Sequence, residues 1–121
     1  MATGFGAAGA NAALDALLTA YPWVQLHIGS PGANGTGNPA LETTRKQATF
    51  APGVAGASSN TSELLWTAVT ATETYTHCSL WSAATAGSFG CSGTITATQV
   101  SAGANARLQA GQLTISIPLA S

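Results

Sequence analysis

The chain has 121 residues, enough for one domain with a real core and too few for two. Asp15, Glu42, Arg45, Lys46, Glu63, Glu73 and Arg107 carry all its side-chain formal charge, 6% of the residues where roughly 25% is usual in a soluble domain. Three cations and a net charge of -1 provide no footprint for a nucleic-acid backbone, and no stretch is apolar for long enough to span a bilayer as a helix.

Residues 1–10 are mostly Gly and Ala with a lone aromatic, Phe5, too poor in side chains to pack a core, and are expected to form a flexible arm. They contain no positive stretch followed by a leucine-rich one, so synthesis in the cytosol without an export signal is expected. The remainder, 11–121, reads as one domain. Asn11 sits where a helix N-cap would stand, and Leu14, Leu17, Leu18 and Tyr21 recur at helical spacing, which predicts one short helix from Ala12 to about Ala20. Pro22 stops it.

Trp23 to Ile28 then alternates, with Val24, Leu26 and Ile28 on one face and Trp23, Gln25 and His27 on the other, the pattern of a half-buried strand. The run Gly29 to Pro39 is dense in Gly, Pro and Asn and predicts a long surface loop. Further strands are predicted over Lys46–Phe50, Glu63–Thr70, Tyr75–Ser82, Phe89–Ala97, Ala106–Gln109 and Gln112–Leu119, each rich in Thr, Val, Ile or aromatics. Turn signals at Ala51–Asn60, Ala83–Ser88, Ser101–Asn105 and Gly111 separate them. In the last strand Leu113, Ile115 and Ile117 should face inward. Many short strands and no second helix to make parallel crossovers predict a mainly β fold. The expected architecture is an antiparallel β-sandwich or jelly roll with one N-terminal helix. Trp23, Trp66, Trp81, Phe50, Tyr75 and Phe89 are expected to fill its core and rim.

Chemistry is sparsely provided. His27 and His77 sit on predicted strands, the four carboxylates are scattered, and no HExxH or GxSxG occurs, so neither an enzyme nor a cofactor or metal site is expected. The glycine-rich loop lacks the Gly-Lys-Ser/Thr of a phosphate cradle and does not open a helix. Cys78 and Cys91, thirteen positions apart, fit neither a zinc site nor a CxxC pair and are expected as free thiols. They would bridge only if placed opposite each other on neighbouring strands. A surface of Ala, Gly, Ser and Thr, with few charges to guard strand edges, points to a subunit that lies against other protein. The residues expected to make such contacts are Phe5 in the arm, Pro31, Asn34 and Asn38 in the loop, and the charged cluster Glu42, Arg45 and Lys46.

The helix segment ALDALL, the strand and loop LHIGSPGANGTGNPALE, then RKQATF, SNTSELLW, THCSLWSAATAGSF and AGANARLQAGQLTISI, resemble a family of small virion proteins of tailed bacteriophages. In that family the corresponding stretches run LxTxxPG, YARQxxTF, a THxxL(W/F)DAxxGG hairpin and a terminal AGxLTV strand. Thr76, His77, Leu80, Trp81, Ala83, Ala84 and Gly87 carry the best match, while Arg45-Lys46-Gln47 and Ser82 depart from it. Such proteins are labelled as tail-fibre, minor structural, minor capsid or capsid-decoration components. The resemblance implies a virion structural protein made in the host cytoplasm. Among these roles the expectation is a capsid decoration or minor capsid protein on the capsid surface, bound to the major capsid protein lattice and to copies of itself. A tail-tip or tail-fibre component is the first alternative and a carbohydrate-binding sandwich the second, the latter if a Trp proves exposed.

Overall fold

The computed structural model describes residues 5–117. The elements are α1 (Ala7–Ala20), β1 (Trp23–His27), β2 (Lys46–Gln47), β3 (Ala57–Ser59), β4 (Leu64–Trp66), β5 (Glu73–Trp81), β6 (Phe89–Val100), β7 (Ala106–Leu108) and β8 (Thr114–Ser116). A curled six-stranded sheet runs in the order β2-β1-β5-β6-β8-β3, and β4 and β7 form a second, two-stranded sheet. Every strand pairing is antiparallel. This is the mainly β, sandwich-like fold with one helix that the strand pattern predicts. Among the described residues no helix is long and apolar enough to cross a membrane.

The helix starts five residues earlier than its sequence signals suggest. Ala7 to Ala10, expected in the arm, are helical, and Ala10 is fully buried. Alanine is the best helix former, and the N-cap is Gly6 with no side-chain cap. Asn11 therefore lies inside the helix, where its Oδ1 accepts the Gly56 amide at 2.9 Å. Asp15 Oδ1 likewise accepts the Gly53 amide at 2.8 Å. Two polar residues suited to capping thus tether the 51–56 turn to the helix instead. The first four residues of the expected arm, and Pro118 and Leu119 of the expected last strand, lie outside the described residues.

β3 falls where the sequence reads as turn. Ala57, Ser58 and Ser59 have little strand propensity, and what makes them a strand is the ladder to Ser116, Ile115 and Thr114 of β8. The alternation in β1 holds for Val24 and Leu26 but ends there, since His27 is fully buried and Ile28 is 45% exposed. In the last strand Leu113 and Ile115 are buried and Ile117 half-buried, as expected.

The core lies between the two sheets and under the helix. Leu14 and Leu18 of α1, Val24, Leu26, Cys78 and Leu80 of the large sheet, and Leu64, Trp66, Ala106 and Leu108 of the small one form a single cluster. Trp66 is its largest member, and its indole N–H donates to Thr44 O at 2.7 Å, which satisfies the one polar atom it buries. At Gly90 a Cβ would overlap the ring of Tyr21, so the absence of a side chain lets the end of the helix seat on β6. Asn60, only 2% exposed, joins the turns. Its Oδ1 accepts the amides of Gly111 and Leu113, and its Nδ2 donates to the carbonyls of Ser62 and Gln109.

Cys78 and Cys91 are both free. Register explains it: Cys78 faces Gly93 and Cys91 faces Leu80, so the two thiols are diagonal rather than opposite. Burial pushes the Cys78 thiol up to about 12 and the Cys91 thiol to about 11, so both stay protonated and unreactive at neutral pH.

Among the described residues one buried side-chain polar atom has no partner, the hydroxyl of Tyr75, whose residue is 2% exposed. Burial, then the nearby Glu73 and Glu42 carboxylates, raise its pKa above the ordinary phenol value. A buried donor without an acceptor costs about 1–3 kcal/mol. Tyr75→Phe should therefore leave stability unchanged or raise it by about 1 kcal/mol, measured by urea unfolding; a loss of that size would reveal a partner for the hydroxyl.

Candidate functional site

The sheet has a second face, opposite the core, and the long loop is folded over it. Beyond β1, Ile28 N–H donates to Asn38 O, Ala40 N–H to Leu26 O and Gly37 N–H to Pro31 O, so residues 29–39 leave the strand and return to it as a closed loop. Two glycines permit this course. Gly35, at φ +74°, lies so close to Phe89 that a Cβ would overlap the ring, and a Cβ on Gly37 would stand 2.9 Å from the Ser30 and Pro31 carbonyls. The loop is a built part of the surface, anchored at several points.

Its deepest anchor is His27. Nδ1 lies 2.8 Å from Gly37 O, and Nε2 lies 2.6 Å from Ser79 Oγ. A carbonyl only accepts, so Nδ1 carries the proton and Nε2 accepts from the Ser79 hydroxyl. Ser79 Oγ in turn accepts the Trp81 indole N–H at 2.7 Å. Donors and acceptors therefore run one way, from Trp81 through Ser79 and His27 to the loop backbone. The ring is neutral in this arrangement. Burial lowers its pKa below the ordinary value, the loop carbonyl at Gly37 works against that shift, and His77, directly opposite on β5, adds to it.

Trp81 also connects to the third part of the surface. The Arg45 guanidinium stacks on its ring at 4.2 Å, donates from Nη1 to the carbonyls of Ala83 and Ala86, and donates from Nε to Gln25 Oε1 at 3.1 Å. The 82–88 turn that joins β5 to β6 is thereby clamped from one side, while Ser82 Oγ accepts Ser88 N–H within it. Phe89, tilted against Trp81 at 5.5 Å, completes the aromatic bed beneath loop and turn.

The residues expected to meet a partner divide accordingly. Pro31 is buried, and Asn34 and Asn38 are exposed on the loop, with Asn38 Nδ2 donating to Ser30 O. The Arg45 guanidinium is committed within the chain. Glu42 and Lys46 are half-buried beside it in sequence, Lys46 opposite Val24 on β2. Phe5, 47% exposed, lies by Gly9 at the start of the helix, away from the loop contacts just described. Sequence reading missed the relay of His27, Ser79 and Trp81. Its only signal was the alternation that put Gln25 and His27 on the face away from Val24 and Leu26.

The histidines are engaged within the chain. Both His27 nitrogens are bonded, and His77 Nδ1 faces the Thr76 hydroxyl at 2.8 Å. Among the described residues no three or more His, Cys, Asp or Glu side chains are grouped to hold a metal ion. A cleft of about 430 Å³ opens between α1 and residues 47–52, lined by Leu18, Pro22 and Phe50 with Asp15 as its acid. Asp15 is already tied to Gly53 there. Trp66 is buried, and Trp23 and Trp81 are half-buried, so none presents an open stacking platform for a sugar.

Residues 4–116 match the family described as podophage GP4 fiber I protein gp80. The chain belongs to that family. It is thus a structural protein of a tailed-phage virion, in accord with the resemblance carried by the loop and hairpin motifs. No curated protein matches the chain.

Two outcomes test the outer-face network. His27 is neutral in the fold with a pKa below that of the unfolded chain, so above the ordinary histidine pKa of about 6.5 it adds no pH dependence. Below that value the unfolded state binds the extra proton, and unfolding free energy should fall by up to about 1.4 kcal/mol per pH unit until the folded pKa is reached. Urea unfolding between pH 7 and pH 5 would show this slope, and His27→Gln should flatten it. Arg45→Lys keeps the charge but loses the fork and the stacking, which should cost about 1–2 kcal/mol and speed amide exchange at Ser82 and Ser88. Unchanged exchange would mean that the turn holds without the clamp.

Proposed function

We propose that the chain is a non-enzymatic structural component of a tail fibre, docked against other virion proteins and copies of itself. The observation that carries this is the family match over residues 4–116, whose description names a fibre protein. It favours the fibre alternative over the capsid-decoration role expected from sequence. The geometry supports a contact role, because loop and turn are fixed on a rigid sheet and expose Asn34 and Asn38 on a surface with few charges. Polar contacts from Asn34, Asn38, Glu42 and Lys46 would orient such docking, with Pro31 and Arg45 holding the surface in shape. Neither a cofactor, a nucleic acid nor a membrane enters this reading.

Copy number is the test. Quantitative mass spectrometry of purified virions, scaled to the major capsid and tail-tube proteins, should find tens of copies or fewer per particle. A ratio near that of the capsid protein would restore the decoration role, and absence from the particle would overturn both.

A further inference from the structure

The chain contains five asparagines, at positions 11, 34, 38, 60 and 105, and the fold treats one of them differently. Asn11 Oδ1 accepts Gly56 N–H, Asn38 Nδ2 donates to Ser30 O, and Asn105 Oδ1 accepts Ala68 N–H. Asn60 is bonded through both ends of its amide. Asn34 is exposed in the 29–39 loop, and among the described residues its side chain makes no hydrogen bond. It is also the only asparagine followed by glycine, since the others precede Ala12, Pro39, Thr61 and Ala106.

An asparagine followed by glycine can close on itself. The Gly35 nitrogen, once it has lost its proton to base, attacks the side-chain carbonyl carbon of Asn34. A C–N bond forms, the side-chain nitrogen leaves as ammonia, and a five-membered succinimide results. Water then opens the ring at either carbonyl to leave aspartate or isoaspartate, so the balance is one water consumed and one ammonia released. Glycine has no Cβ to obstruct the approach. At Asn38 the route is closed, because Pro39 has no N–H to lose. The Gly35 amide is held by Gly32 O at 3.3 Å, longer than a normal N–H···O bond, so little keeps it from its neighbour.

We propose that Asn34 is a site of spontaneous deamidation in the folded protein, with water as co-reactant, and that its product loosens the 29–39 loop. The reaction adds a negative charge to a chain whose formal net charge is -1. Isoaspartate also lengthens the main chain by a carbon, in a loop with no slack. Gly35 is packed on Phe89, Gly37 N–H donates to Pro31 O at 2.7 Å, and Gly37 O meets His27 Nδ1 at 2.8 Å. The site lies on the surface proposed for docking, so its effect on docking rests on the fibre reading, whereas the reaction and the loop response do not.

Incubation of the full chain at neutral and at mildly alkaline pH, followed by mass spectrometry, tests it. The mass gain of a side-chain amide turned to a carboxyl should localise to Asn34, run faster at the higher pH, and precede any such change at the other asparagines. The more acidic product, isolated by ion exchange, should show faster amide exchange at Ile28 and Gly37, whose N–H groups close the loop. Asn34→Gln, whose longer side chain cyclises far more slowly, should form no such product over the same period, with circular dichroism verifying its fold. The chain unfolded in urea is the reference. Asn34 that reacts there but stays intact in the folded chain would overturn the proposal. Earlier loss of ammonia at another asparagine, an acidic product that persists in Asn34→Gln, or unchanged amide exchange in the product would do the same. None of these outcomes bears on virion copy number, so the two readings fail separately.

Discussion

The antiparallel ladder of β5 with its two neighbours is the interaction on which the rest of this structure depends. β1 pairs with β5 from Trp23–Trp81 to His27–His77, and β6 pairs with it from Phe89–Trp81 to Val100–Glu73 with two shifts of register. Those registers set two faces at once. Val24, Leu26, Cys78 and Leu80 turn to the core, and His27, Ser79, Trp81 and Phe89 turn to the loop and hairpin. A slip of one residue would exchange the faces, burying the indole and imidazole among aliphatic side chains and exposing the leucines.

Scarcity of charge is offset by hydrogen bonding to backbone and amide groups. Where many domains would use ion pairs between loops, this chain uses Asn60 to tie its own turn to the 109–113 segment, Asn11 and Asp15 to tether the 51–56 turn, and the His27 relay to hold the longest loop. The Asn60, Asn11 and His27 contacts are neutral, are satisfied by geometry within the fold and are less sensitive to salt than exposed ion pairs. Arg45 follows the same logic, since its guanidinium serves carbonyls, an amide and an aromatic face rather than a carboxylate.

A virion subunit gains from this construction. Its long loop and the 82–88 turn are fixed by contacts within the chain, so the proposed docking would have little chain entropy to overcome, and a surface with few charges would lose little in desolvation when covered. The same scarcity of charge gives the strand edges little of the usual protection, which the proposed docking against other virion proteins would supply.

Much of the fold was legible in one dimension. Alternation located β1 and the last strand, richness in Thr, Val, Ile and aromatics located β5 and β6, helical spacing located most of α1, and the turn residues located most of the breaks, because these are local consequences of side-chain direction, shape and backbone freedom. The composition alone argued for a subunit that lies against other protein, and the residues of the loop and hairpin carried the resemblance to phage virion proteins. What only tertiary structure decided is everything that depends on register. It made a strand of Ala57–Ser59 by offering β8 as a partner, and it placed Cys78 and Cys91 on a diagonal. It turned Asn11 from a cap into a tether. It also brought His27 and Ser79, 52 positions apart in the chain, together with Trp81 and Arg45 into one network under the 29–39 loop, since hydrogen bonds between distant side chains follow strand pairing and leave no periodic trace in the sequence.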